Sequence, residues 1–227
     1  MKISAQQQNI PYIHPPNNIY DKKLYTMLKE LFDLVRGNAA DAVINNPDVP
    51  NEHNDAVVAE ATNTVASGLR NIVAGGGLQS LLSLFSGGND KKSLLSNPIV
   101  SMMMGHFAGK LMNKFNLNTN QANNLSGSLI PNVLGSLINK TNDPNESEFS
   151  LEKLLSSITG GKSDQIVGDQ NRGSGGLQDL LKQFSGGGQA NGGGLMDVIK
   201  NLAGGAQQQQ QETGEGGLMD LIKGFMK

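Results

Sequence analysis

Gly176-Leu177-Gln178-Asp179-Leu180-Leu181-Lys182-Gln183-Phe184 carries apolar side chains at positions i, i+3, i+4 and i+7, the spacing that lines one face of a two-turn helix. The spacing recurs at Leu78/Leu81/Leu82/Phe85, Leu151/Leu154/Leu155/Ile158, Leu195/Val198/Ile199/Leu202 and Leu218/Leu221/Ile222/Phe225. Glycines flank most copies, so each reads as a short helix stopped on both sides. With strand signals almost absent, the chain reads as all-α.

Outward from these units the chain divides into three parts. Residues 1–26 are rich in Gln, Asn and Pro, and Pro11, Pro15 and Pro16 interrupt any helix. With no apolar period to bury, they read as a disordered leader. A strong helical pattern starts at Met27, which makes that residue a candidate translation start.

From Met27 to about Gly161 the sequence repeats at an offset of 68 residues. Leu34/Met102, Gly37/Gly105, Ala40/Ala108, Val43/Leu111, Val49/Leu117, Val57/Leu125, Ala61/Leu129, Val65/Val133 and Leu69/Leu137 match in type. The third elements, 80–88 and 153–161, align at an offset of 73, with the extra residues in the loop 142–148, where insertions are tolerated. The region 27–161 therefore reads as a helical bundle of two three-helix motifs, about 27–88 and 95–161. Asn97 before Pro98, Asn118 with Gln121, and Ser150 carry helix-start chemistry. Pro131 lies inside a helical pattern and is expected to kink or restart it. Gly105, Ala108 and Gly109 read as a place where helices approach closely.

Residues 162–227 hold 16 of the chain's 29 glycines and the run Gln207 to Gln211. Composition predicts a flexible Gly/Gln-rich tail carrying three short amphipathic helices.

The halves Leu31-Phe32-Asp33-Leu34-Val35 to Phe85-Ser86-Gly87-Gly88 and Ile99-Val100 to Ile158-Thr159-Gly160-Gly161, with Ser128-Leu129-Ile130-Pro131-Asn132-Val133-Leu134 in the second helix of the second half, resemble the YidB-like family of bacterial proteins of unknown function. The resemblance covers about residues 27–161 and implies an all-helical bundle of two three-helix repeats. It brings no activity or functional residues, and the tail lies outside it.

Composition excludes several functions. The net charge of −2 and a pI of 5.9 give no field that attracts nucleic acid, and no basic block is present. Without cysteine there are no disulfides and no thiolate metal sites. No apolar run is long enough to span a bilayer and no secretory signal pattern opens the chain, so a cytoplasmic protein is expected.

Catalytic chemistry is not legible. Gly161-Lys162-Ser163 resembles the end of a phosphate-binding loop, but the earlier glycine that such a loop requires is Ser156, and a helix precedes it. His14, His53 and His106 lack the i+3 or i+4 partner of a metal motif. Glu52, His53 and Asp55 fit a helix start better than acid–base work. Met102-Met103-Met104 reads as core filler. No catalytic, cofactor or metal-binding residue is assigned, no cofactor is expected, and a non-enzymatic interaction or structural role follows.

The expected interaction residues are the tail faces Leu177, Leu180, Leu181 and Phe184; Leu195, Val198, Ile199 and Leu202; and Leu218, Leu221, Ile222 and Phe225. Docking four such side chains yields roughly 6–12 kcal/mol at about 1.5–3 each, against roughly 8–16 for ordering eight backbone residues. One unit alone binds feebly, whereas several on one tether gain by effective concentration. The expected partner is protein, namely helical grooves of the same chain or of a second copy, and not nucleic acid. The alternative is peripheral binding to a membrane surface. With six basic against seven acidic residues in the tail, attraction to anionic lipid is weak.

Overall fold

The structure is a computed structural model and describes residues 19–87, 90–143, 145–146, 149–167 and 192–226. Among these residues there is no strand, and the fold is all-α.

Ile19–Asn38 (α1) is followed by a short π-helix, Ala40–Ile44, and a 3-10 turn, Asn51–His53, which leads into Asn54–Ala74 (α2) and Leu78–Ser86 (α3). After Lys91–Leu95 (α4) come Pro98–Phe115 (α5), Thr119–Asn142 (α6) and Leu151–Ile158 (α7). Long helix, long helix, short helix thus occurs twice in succession. Lys162–Val167 (α8), Gly192–Glu212 (α9) and Glu215–Lys223 (α10) complete the described chain.

Apolar stripes at helical spacing turn these elements inward. In α1, Leu24, Met27, Leu28, Leu31, Phe32 and Val35 are buried; in α5, Val100, Met103, Phe107 and Leu111; in α6, Leu125, Leu129, Val133 and Leu137. Their side chains join one core, which also includes Leu78, Leu81 and Phe85 of α3 and Leu154, Leu155 and Ile158 of α7. Of the paired positions read from the sequence, Val43/Leu111, Val49/Leu117, Val57/Leu125, Ala61/Leu129, Val65/Val133 and Leu69/Leu137 are buried in both members.

Helix starts follow local chemistry. Asn97 accepts a hydrogen bond from the Ile99 amide with Pro98 at the first helical position. Asn118 and Gln121 form a reciprocal capping box, and Ser150 accepts from the Lys153 amide. Such caps satisfy amides that have no partner within the helix.

Several sequence expectations change. Helix α1 begins at Ile19, ahead of Met27, and Leu24 is buried. The reason is packing: Lys23 pairs with Asp164 of α8 at 2.5 Å, and Tyr25 meets Phe225 edge-on at 5.0 Å. Residues 1–18 lie outside the described chain. Helix α6 runs through Pro131 as one helix, with the proline buried. A Cβ at Gly105 or Gly109 would meet nothing within 4 Å, so neither glycine marks a close helix crossing; Ala108 is buried. The methionine triplet splits by face: Met103 is buried, Met104 packs at the core's edge, and Met102 is exposed.

The largest difference lies in the tail. Helix α9 spans 21 residues and continues through Gly204, Gly205 and the glutamine run. Two glycines cost it roughly 2 kcal/mol relative to alanine, and tertiary packing offsets this. Val198, Leu202 and Ala206 of α9 and Leu218, Met219 and Ile222 of α10 are buried in the common core. Helices α9 and α10 both lie along α2; α9 also reaches α3, α7 and α8, while α10 reaches α1. Gly205 sits at the α7–α8 turn, where a Cβ would collide with the Thr159 carbonyl and the Lys162 side chain. That approach requires glycine.

Candidate interaction site

Helix α2 builds the site. Every residue from Val57 to Arg70 is buried, although Glu60, Thr62, Asn63, Thr64, Ser67 and Arg70 are polar. Three hydroxyls are satisfied within the helix: Thr62 donates to the Val58 carbonyl at 2.8 Å, Thr64 to Glu60 at 2.8 Å and Ser67 to Asn63 at 2.6 Å. This back-bonding lets a polar side chain be buried without a remote partner. Glu60 and Arg70 have no oppositely charged residue three or four positions away in α2, so their partners come from other helices.

Arg70 is among the largest fully buried side chains. Its Nη1 donates to the Thr213 carbonyl at 2.5 Å and to the Gln209 carbonyl at 3.3 Å. These carbonyls lie at the C-terminal end of α9, where the dipole is negative, and the Gln209 carbonyl also accepts from the Thr213 amide at 2.8 Å. Burial lowers the Arg70 pKa from its usual range and Glu215 opposes that effect; a guanidinium stays charged regardless. Gln207 adds a second clamp, its side-chain amide donating to the Ala74 carbonyl at the end of α2 at 2.9 Å.

Helix α5 contributes a basic stripe, His106, Lys110 and Lys114, at successive i+4 spacing. Like charges so placed repel and need acid from elsewhere. Glu60 of α2 supplies part of it, pairing with Lys114 and lying 3.4 Å from Lys110. Glu215, in the first turn of α10, supplies the rest: one carboxylate oxygen lies 2.9 Å from His106 Nε2, 3.0 Å from the Ser67 hydroxyl and 3.5 Å from Lys110 Nζ. Its position at the positive end of α10 is itself favourable. Desolvation works against the Glu215 carboxylate, but Lys110, His106 and Ser67 together outweigh it and hold its pKa below the ordinary value.

The predicted interaction residues fall into three sets. Val198, Leu202, Leu218 and Ile222 are buried, and Ile199, Leu221 and Phe225 pack at the edge of the same core. Phe225 lies just beyond the end of α10 and contacts the ring of Phe32 as well as Tyr25. Leu195 belongs to α9, but its side chain is outside the described set. Leu177, Leu180, Leu181 and Phe184 lie outside the described residues.

Sequence reasoning missed the polar residues of the site. The available signals were Glu60 and Arg70, charged residues without a local partner in a helix of small and apolar side chains, and the unbalanced basic stripe of α5.

Other sites carry less chemistry. Among the described residues no group of three or more His, Asp or Glu is placed to hold a metal ion. At Gly161-Lys162-Ser163 the Gly161 amide donates to the Ser156 carbonyl at 2.8 Å, and helix α7 precedes the turn. A cleft of about 410 Å³ opens between α1 and the α7–α8 segment. Its lysines, Lys22, Lys23 and Lys153, are matched by Glu30, Glu152 and Asp164, so it selects neither sign of charge. No described helix is long and apolar enough to cross a membrane.

No family model, curated protein or solved structure matches the chain.

Proposed function

We propose that the protein is a non-enzymatic interaction or structural protein whose tail helices dock on helical grooves of the same chain or of a second copy. The observation that carries this reading is the inward orientation of Val198, Leu202, Leu218 and Ile222 against the bundle. A flexible tether would have no reason to hold four apolar side chains at helical spacing, nor a polar bed with matching charges beneath them. On this reading the first and second halves are copies of one three-helix motif, as the YidB-like resemblance implies, and the protein acts in the cytoplasm.

The test is removal of residues 168–227, followed by thermal melting and light-scattering mass at several concentrations. A lower melting temperature is expected if the tail docks within the chain, and fewer chains per particle if it docks between copies. An unchanged melting curve together with an unchanged number of chains per particle would sink the proposal. Co-sedimentation of the full chain with anionic vesicles tests the rival membrane-surface reading. The inward-facing apolar residues argue for no co-sedimentation, because a surface helix must offer that face to lipid.

A further inference from the structure

We propose that Glu215 is the residue that selects α10, among the tail units, for its seat along α2, where its carboxylate reaches the basic stripe of α5. This rests on the docking reading above and adds what makes docking specific. All three tail units share the apolar spacing, and each carries an acid and a lysine at the same places: Asp179/Lys182, Asp197/Lys200 and Asp220/Lys223. Neither feature can tell the units apart. They differ three residues ahead of the first apolar position, where the units starting at Leu177, Leu195 and Leu218 have Ser174, Gly192 and Glu215.

The seat wants a carboxylate at that point. Without Glu215 it holds three permanent cations, Arg70, Lys110 and Lys114, against one carboxylate, Glu60, with His106 at the rim. Lys110 is deeply placed, with its side chain 11% exposed, and lies within ion-pair reach of both Glu60 and Glu215. Glu215 thus supplies the second anion and accepts from Ser67 and Lys110, facing His106 as well. Serine or glycine at the same position would leave Lys110 and Arg70 undercompensated in a partly buried site, the situation that specificity by unpaired charge exploits. The other acid nearby, Glu212, is engaged by the side-chain amides of Gln208 and Gln209 on its own helix. From α1 the helix is met by aromatic side chains, Tyr25 and Phe32 on Phe225.

Hydrogen exchange on the full chain tests this, comparing wild type with Glu215→Gln, Lys110→Gln and the double variant. Glutamine keeps the shape of Glu215 and one acceptor oxygen for the Ser67 hydroxyl, and it removes the charge. Glu215→Gln is expected to lower the protection of the α10 amides roughly tenfold and to leave those of α6 unchanged. The double variant should lose clearly less than the two single losses combined, because both residues serve one interaction. Lowering the pH below 4.5, the ordinary glutamate value, should reduce α10 protection relative to α6 in wild type and not in Glu215→Gln. Wild-type protection in Glu215→Gln, or fully additive losses, would overturn the selection by Glu215 and leave docking standing. Unprotected α10 amides in the wild-type chain would overturn both.

Discussion

Helices α2 and α6 are both long helices followed by a short one, and both are largely buried, yet they differ in the chemistry of what they bury. Helix α6 is buried over most of its middle, and what it buries there is chiefly apolar, including Leu125, Leu129, Ile130, Val133, Leu134 and Leu137, while Asn123, Asn124 and Asn132 are exposed. Helix α2 is buried without interruption from Val57 to Arg70. Helices α9 and α10 lie along α2, and their cover makes the difference. A helix that is polar on one side is ordinarily a surface helix. Here the returning tail turns that side inward, and the polar groups become a network of ion pairs and clamps. The contrast explains why the bed under the tail is polar and charged, whereas α6 buries mainly apolar side chains, with Ser126, Ser136 and Asn142 as its neutral hydrogen-bonding contacts to α5, α1 and α3.

Deletion of residues 168–227 breaks the comparison most severely. It removes Val198, Leu202, Leu218 and Ile222 from the core, worth roughly 6–12 kcal/mol gross at about 1.5–3 each. Amide exchange in α2 should accelerate far more than in α6. Equal acceleration in both helices would mean that the tail supports the bundle as a whole and not α2 in particular.

Single cavities come next. Leu202→Ala and Leu134→Ala each empty a fully buried site and should each cost about 2–5 kcal/mol in urea unfolding. The distinction lies in where exchange rises. Leu202→Ala is expected to loosen α9 and α2 before the remainder, and Leu134→Ala to lower protection throughout the bundle.

Two adjacent glycines sharpen the comparison further. Gly205→Ala places a methyl group against the Thr159 carbonyl and Lys162, and should cost about 1–3 kcal/mol. Gly204→Ala meets nothing within 4 Å on an exposed helical surface, and should stabilise by about 0.5–1 kcal/mol. Chemical denaturation of both variants reads the sign directly. Matching signs would mean that α9 does not sit on the α7–α8 turn.

The smallest effect is the response to acid. The Glu215 pKa is lower in the folded chain than its ordinary value of 4.5. Its contribution to stability is therefore fully present above 4.5 and is lost as pH falls through the lowered folded value. The melting temperature of wild type should fall more steeply through that window than that of Glu215→Gln. Parallel curves would show that the carboxylate contributes nothing to the stability of the fold.

Much of the bundle is legible in the sequence because its signals are local. The stripe of α6, the capping box at Asn118 and Gln121 and the proline at the start of α5 each depend on residues within about a turn of one another. So do the apolar faces of the tail units, although not their extent. Glycines 204 and 205 read as helix stops, yet α9 passes through both, since contacts with α2, α7 and α8 outweigh a weak local preference. Gly105 and Gly109 erred in the other direction: their side of α5 is open, and small size alone does not announce a neighbour. The candidate site was the least legible part. Glu60, Arg70 and Glu215 are ordinary charged residues until helices distant in the chain bring them together.

By itself, then, the sequence determined the all-helical class, the five apolar units and the chemistry that starts the helices, because periodicity and capping are settled between near neighbours. Tertiary structure alone decided that the polar face of α2 is interior, that Arg70 clamps the end of α9, that Glu215 meets the basic stripe of α5, and that neighbouring glycines 204 and 205 have opposite worth. The physical reason is that the cost or benefit of a buried charge or a missing Cβ depends on which remote segment covers it, and no local pattern encodes that segment's identity.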